Sequence, residues 1–272
     1  MMWRIGNLLD LHEQIRWLHE HRFEAVAFWT SAGEPGVWQG FEFASAAPAD
    51  VRALRAALAD FEAVDLHADA PLTGVSALPR LRRTLAFAAE LGASTVTVHV
   101  ESRSPRRQDE LASLDAAAQR ANVRVGLELT ADYGLALSPA TPHLGLTLDV
   151  GHVSFEGGAG YREFGSLAGL IDHVSSRLFH VHAHDYDGLL DHLPIGAGRL
   201  NWNEIAAALK RVRYAGVVCL ELNPDRASPG QLLASRDRLT ELLASPSAVA
   251  LAVPPRPPPL PYQPFTHRSL LP

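Results

Sequence analysis

Residues 144–152 read LGLTLDVGH and residues 178–185 read LFHVHAHD. Each opens as a short run of mostly apolar residues and closes on groups that can bind protons or metals. Asp149 is followed by His152, and His182 by His184 and Asp185. Apolar runs of this length, rich in Leu, Val and Thr, suit strands buried on both faces better than helices. Working outward, the same pattern predicts strands over 3–8, 25–28, 63–67, 95–100, 124–128 and 216–221, which makes eight with 144–149 and 178–182.

Amphipathic segments separate most of these runs: LHEQIRWLHEH, PADVRALRAALADF, LPRLRRTLAFAAELG, RRQDELASLDAAAQRA and NWNEIAAALKRVR. Pro48-Ala49-Asp50 and Asn201 are helix starts by type, and Gly92 is a stop. The link at 129–143 is short, so its helix is expected to be a stub. Alternating strands and helices predict an α/β protein with a parallel sheet, and eight such units close into a (β/α)8 TIM barrel. The rival, an open doubly wound sheet binding a nucleotide, needs a Gly-rich loop after an early strand. The chain has LLDLHEQ there, so no nucleotide cofactor is expected.

In such a barrel the C-terminal strand ends converge on one face. The expected strands end at or near His67, His99, Glu128, Asp149, His182 and Glu221. Buried carboxylates and imidazoles are costly unless paired or metal-bound, so six successive ends of this kind point to a site. Each has a plainer reading as a loop hydrogen-bonding group, and His67 and His99 have it most readily. Cys219 and His180 fall one layer deeper and are expected in the packed interior. Glu128, Asp149, His182 and Glu221 together offer three carboxylates and one imidazole, a donor set for one divalent ion: Mn²⁺, Zn²⁺, Co²⁺ or Mg²⁺. The loop DHLPIGAGRLNW (191–202) adds His192 at the mouth, and Trp202, which anchors the following helix or walls a sugar pocket.

The remaining composition narrows the class. The chain has 272 residues, 47% of them hydrophobic and 20% charged, with net charge −6 and a single cysteine, so a large core is available and an internal disulfide is not. The charge balance gives no reason to expect a nucleic-acid partner. The one lysine, Lys210, is expected to reach solvent from a helix, against Schiff-base chemistry. The N-terminus reads as neither a signal peptide nor a membrane span, so a soluble cytoplasmic protein without a membrane partner is expected. Residues 1–243 are expected to form the barrel and 244–272, containing PPRPPPLPYQP, a proline-rich tail.

VGLELT with Glu128, LDVGH with Asp149 and His152, HVHAHDYDG, DHLPIGAGRLNW and CLEL with Glu221 together resemble the xylose-isomerase-like barrels. These include sugar-phosphate isomerases, sugar epimerases and metal-dependent apurinic endonucleases. The resemblance runs from about residue 3 to 243. It implies a metal-dependent isomerase or epimerase of a sugar or sugar phosphate, with Glu128 and Glu221 as opposed acid and base. His152 then contacts substrate oxygens, and His67, His99, His192 and Trp202 line the substrate site. Where epimerase-like members often carry a substrate-contacting arginine, this chain has Gly188. The endonuclease members, an alternative phosphodiesterase reading, hold three metals at positions matching His67, His99, Glu128, Asp149, His152, His182, His192 and Glu221. They also need an aspartate where this chain has Leu190, with Asp191 adjacent. A sugar or polyol dehydratase of the same architecture is the other alternative.

Overall fold

The computed structural model describes residues 3–34, 36–100, 107–129 and 141–244. In chain order the elements are α1 (Trp3–Gly6), α2 (Leu11–Glu20), β1 (Ala25–Trp29), β2 (Gly33–Glu34), β3 (Trp38–Gln39), α3 (Pro48–Ala57), β4 (Ala63–His67), α4 (Leu78–Leu91), β5 (Thr95–Val98), α5 (Arg107–Ala121), β6 (Arg124–Leu129), β7 (Leu144–Asp149), α6 (Phe155–Gly158), α7 (Leu167–Val174), β8 (Leu178–Ala183), α8 (Trp202–Arg211), β9 (Val217–Leu220) and α9 (Pro229–Ala244). Seven strands pair in parallel in the order β1-β4-β5-β6-β7-β8-β9, and β2-β3 form a separate small hairpin. The seven curl into a nearly closed TIM barrel, in which β1 and β9 come alongside each other without a ladder between them.

The helix signals read from the residues act where expected. Asn201 accepts the Glu204 N–H at the start of α8, Pro48 opens α3, and Gly92 ends α4 at φ 77°, a conformation that glycine adopts without a Cβ penalty. The stub expected at 129–143 and the tail at 244–272 lie, but for their first residues and 141–143, outside the described residues.

The strand expected at the N-terminus, over residues 3–8, does not form; Trp3–Gly6 is a helical turn, with the Leu8 and Leu9 N–H groups both donating to the Ile5 carbonyl. A short apolar run does not distinguish a buried turn from a strand. Here Trp3 packs against Ala27 of β1 and Cys219 of β9, at the seam where the barrel's ladder is open. Lys210 also departs from expectation: its ammonium donates to the Leu242 carbonyl at 2.8 Å, tying α8 to α9.

Period-two alternation sorts each strand into two faces. Val26, Phe28, Val64, Leu66, Val96, Val98, Leu127, Leu146, Leu148 and Val181 belong to the aliphatic cluster shared with the surrounding helices. The alternate positions are largely polar: Asp65, His67, Thr95, Thr97, Glu128, Thr147, Asp149, His180 and His182, all buried. Several are paired with one another, as burial demands. Asp65 Oδ2 lies 2.8 Å from His180 Nδ1 while its Oδ1 accepts the Thr95 N–H, and the Thr97 and Thr147 hydroxyls bond at 2.8 Å. Gly126 is needed by the same packing, because a Cβ there would stand 2.2 Å from Thr147 Oγ1.

Candidate metal centre

The polar face ends in a cluster. Glu128, Asp149 and His182 occupy the C-terminal ends of β6, β7 and β8, and Glu221 directly follows β9. One ligand-type atom from each of the four lies within 4.8 Å of the others. His182 Nδ1 is central: 3.0 Å from Glu128 Oε1, 3.0 Å from Glu221 Oε2 and 3.9 Å from Asp149 Oδ2. Glu128 Oε2 turns the other way, 3.5 Å from His67 Nε2 and in contact with His99 Nε2. His67 is buried with Trp29 lying over its ring at 3.7 Å, whereas the His99 side chain is 41% exposed and faces the mouth. His152 Nδ1 stands 3.0 Å from Asp149 Oδ2.

Charge follows from this packing. Burial opposes ionisation of Glu128 and Glu221, but His182 beside both overrides it, and their carboxyls sit below the usual carboxylate range. Burial likewise opposes ionisation of Asp149, and His184 and His152 overcome it. Burial disfavours a charged His182, yet Glu221 and Glu128 raise its pKa well above the ordinary value. His152 is pushed up to about 9, with Asp149 outweighing desolvation. In His192 burial prevails and the pKa falls.

Of the expected site residues, His67, His99, Glu128, Asp149, His152, His182, His192 and Glu221 come together here. Trp202 does not. It lies in the aliphatic core, 3% exposed, with its indole N–H donating to Asp185 Oδ2 at 3.1 Å, so it anchors the loop and walls no pocket. Asp191 was not assigned a role, yet its Oδ1 is 3.0 Å from His192 Nδ1 and its Oδ2 3.6 Å from His152 Nε2. Arg226 holds it through an ion pair. Leu190 is exposed. The loop turns this way because Asp187 Oδ1 accepts the N–H groups of both Leu189 and Leu190, and His192 takes a left-handed φ of 49°.

Asp185 organises the rest of that loop. Its Oδ1 accepts the Tyr186 and Leu200 N–H groups, and its Oδ2 those of Gly196 and the Trp202 indole, at 2.8–3.1 Å. Asp185→Ala leaves four N–H donors, among them the buried Trp202 indole, without this acceptor. The expected cost is about 3 kcal/mol of stability, read by urea denaturation, together with faster proteolysis within residues 186–200. A variant as stable and protease-resistant as the parent would contradict that role.

A divalent ion fits the cluster. Glu128 Oε2, Asp149 Oδ2 and His182 Nε2 are buried without a well-directed hydrogen bond, although charged neighbours approach the first two. Groups so placed call for a cation or water, and the donor set of three carboxylates and one imidazole suits borderline to hard divalent ions. His67, Glu128 and His182 form a second close group, and Asp149, His152, His184 and His192 a third.

Comparison with known proteins agrees with this architecture. The model of the family described as xylose isomerase-like TIM barrel matches residues 15–242. A stretch of 124 residues is 28% identical to the uncharacterized protein MJ1311 of Methanocaldococcus jannaschii, and covers 41% of each chain, less than half the length of that relative. The crystal structure of D-psicose 3-epimerase with D-tagatose, from Clostridium cellulolyticum H10, superposes with a TM-score of 0.67 at 16% identity, over 89% of this chain and 96% of that one. The IOLI protein, crystallised with a bound zinc atom, gives 0.65 at 15% identity, over 89% and 95%. At these identities the likeness is one of fold. No helix among the described residues is long and apolar enough to cross a membrane.

Proposed function

The chain belongs to the xylose isomerase-like TIM barrel family, and from that premise we propose that it is a divalent-metal-dependent isomerase or epimerase acting on a sugar or sugar phosphate. The observation that carries this reading is the convergence of Glu128, Asp149, His182 and Glu221 within 4.8 Å at four successive strand ends. The epimerase and the zinc-containing protein among the structural neighbours support it.

Glu128, Asp149, His182 and Glu221 hold the ion in this reading. When bound, the ion supplies Lewis-acid polarisation of a carbonyl and neutralises developing negative charge. Glu128 and Glu221 flank His182 from different strands, with carboxyls kept ionised by their surroundings. One takes a proton from the carbon beside the carbonyl, and the other returns a proton to the opposite face in an epimerisation or to the neighbouring carbon in an isomerisation. His152, at the mouth between Asp149 and Asp191, orients a substrate hydroxyl. Trp29 and His67, with ring centroids 3.7 Å apart, wall the site on the β1–β4 side.

A phosphodiesterase with three metals is the second reading, and Asp191 favours it. The aspartate missing at position 190 has a substitute beside His152 and His192. One experiment divides the two. The metal-reconstituted protein is incubated in D₂O with a panel of sugars and sugar phosphates and followed by NMR, with metal counted by elemental analysis. The isomerase reading expects about one tightly held equivalent of metal and deuterium beside the carbonyl of an interconverted sugar. Three equivalents with no turnover, and cleavage of abasic DNA in a parallel assay, would overturn it.

A further inference from the structure

We propose that His184 is a positioning residue, whose ring fixes one oxygen of Asp149 so that the other faces the metal centre, and ties that ligand to the loop residue His192. The proposal rests on the metal reading above for what Asp149 does, and on geometry alone for what His184 does.

His184 is the first residue after β8 and is fully buried. Both of its ring nitrogens are engaged. Nε2 lies 2.8 Å from Asp149 Oδ1, and Nδ1 accepts the backbone N–H of His192 at 2.8 Å. The Asp185 carbonyl also stands 3.3 Å from Nδ1, and a bond there would need a proton on that nitrogen. The amide is the closer group and its hydrogen has a fixed direction, so it decides the matter: the ring proton sits on Nε2 and is donated to Asp149. With no lone pair directed at the cluster, His184 is not itself a ligand, despite its closeness to Asp149, His152 and His192.

The effect on Asp149 is a division of labour between its oxygens. Oδ1 receives the His184 Nε2–H and the His152 backbone N–H, both at 2.8 Å. Oδ2 is left without a directed hydrogen bond and faces His152 Nδ1 and His182 Nδ1. A carboxylate held this way cannot swing its second oxygen out of the centre. The ring that holds it is itself confined: a Cβ on Gly151 would stand 1.9 Å from its Cε1, and the His192 ring stacks on it at 4.0 Å and 12°. His192 has a left-handed backbone, and its N–H ends on the same ring. One imidazole therefore connects a ligand at the end of β7 to the loop that brings His192 and Asp191 over the site.

Hydrogen-bond partners of metal ligands typically change metal affinity 10–100-fold when removed. The test uses the full chain with Co²⁺ as the probe, titrated against a competing chelator while the visible absorption bands are recorded. His184→Leu is expected to weaken Co²⁺ binding about 10–100-fold and to shift the bands. His184→Gln, which offers an N–H to Asp149 and an oxygen to the His192 amide, is expected to recover most of the affinity and the parent spectrum. A folded His184→Leu protein that binds Co²⁺ with parent affinity and parent bands overturns the proposal. Should the leucine variant fail to fold, the ring ¹⁵N spectrum of the unaltered, metal-free protein decides. A ring proton on Nε2 at position 184 supports the proposal, and a ring protonated on Nδ1 alone overturns it. Failure of the unaltered protein to bind Co²⁺, or binding unaffected by Asp149→Asn, overturns the metal reading and this proposal with it. That result is distinct from a tight-binding His184→Leu.

Discussion

Glutamine at position 128 or at position 221 should lower turnover of the sugar substrate by about 10³-fold, with the fold retained. Each glutamate sits within 3.0 Å of His182 Nδ1, so each is both a ligand-type group and the nearest base to anything held there. Glu128 carries more connections. Its Oε1 meets His182, and its Oε2 meets His67 and His99, so a proton taken up on that side has two imidazoles to receive it. Burial works against the anion, and the histidines around it more than compensate. Glutamine removes the charge and the basic lone pair while keeping the shape. General acid–base groups contribute about 10²–10⁴ in rate, and lost ligation adds to that. Assay at saturating metal separates the parts: a defect that added metal restores was one of ligation, and a kcat defect that survives is one of proton transfer. Either variant retaining a tenth of parent turnover at saturating metal would remove that glutamate from the proton-transfer role.

The strand ends were legible because two simple regularities coincide. A parallel strand buried on both faces is an apolar run, and its last inward residue meets the convergent face of the barrel. Reading the final polar residue of each run therefore found Glu128, Asp149, His182 and Glu221, which the structure brings within 4.8 Å. The same reading went wrong at 3–8, where WRIGNL satisfies the pattern of a strand but folds as a turn that plugs the seam with Trp3. Composition over six residues carries no record of whether a neighbouring strand edge is available.

The parts of the site that stayed hidden depend on contacts between distant positions. His184 lies near the end of a legible strand, yet its role depends on Asp149 from β7 and on the backbone of His192. Trp202 after an N-cap asparagine reads equally well as an anchor or a pocket wall. Asp185, which takes its indole N–H, decides for the anchor. Asp191 stands one residue after the position where the endonuclease members carry an aspartate, and only the turn, shaped by the Asp187 side chain and the left-handed His192, shows that it meets His152 and His192. The buried pair Asp65–His180 had no signal beyond parity, since nothing in AVDLH says that its aspartate faces a histidine on β8.

Metal removal should invert the protein's response to alkaline pH. In the metal-free protein a proton on His182 supplies the positive charge among Glu128, Asp149 and Glu221, and its pKa is raised well above 6.5 despite burial. A raised pKa gives stability that is fully present below the unfolded value of about 6.5 and is lost as pH rises through the folded one. The carboxyls are depressed, so their contribution is present above about 4–4.5 and is lost as pH falls through their folded values. His182 and these carboxyls together therefore contribute most stability to the metal-free protein between about pH 4.5 and 6.5. A divalent ion needs the His182 lone pair and must displace that proton. Its affinity should then rise about tenfold per pH unit until the raised pKa of His182 is passed. At a free metal concentration about 100 times Kd, binding adds about 2.7 kcal/mol, and that gain grows with pH as Kd falls. Thermal unfolding from pH 5 to 9, with EDTA and with Zn²⁺ or Mn²⁺, reads both curves. They should diverge steadily above pH 6.5, with the EDTA curve falling. An EDTA curve that climbs from pH 6.5 to 9, or a metal-induced gain that is the same at every pH, would mean that no proton on His182 stands in for the ion.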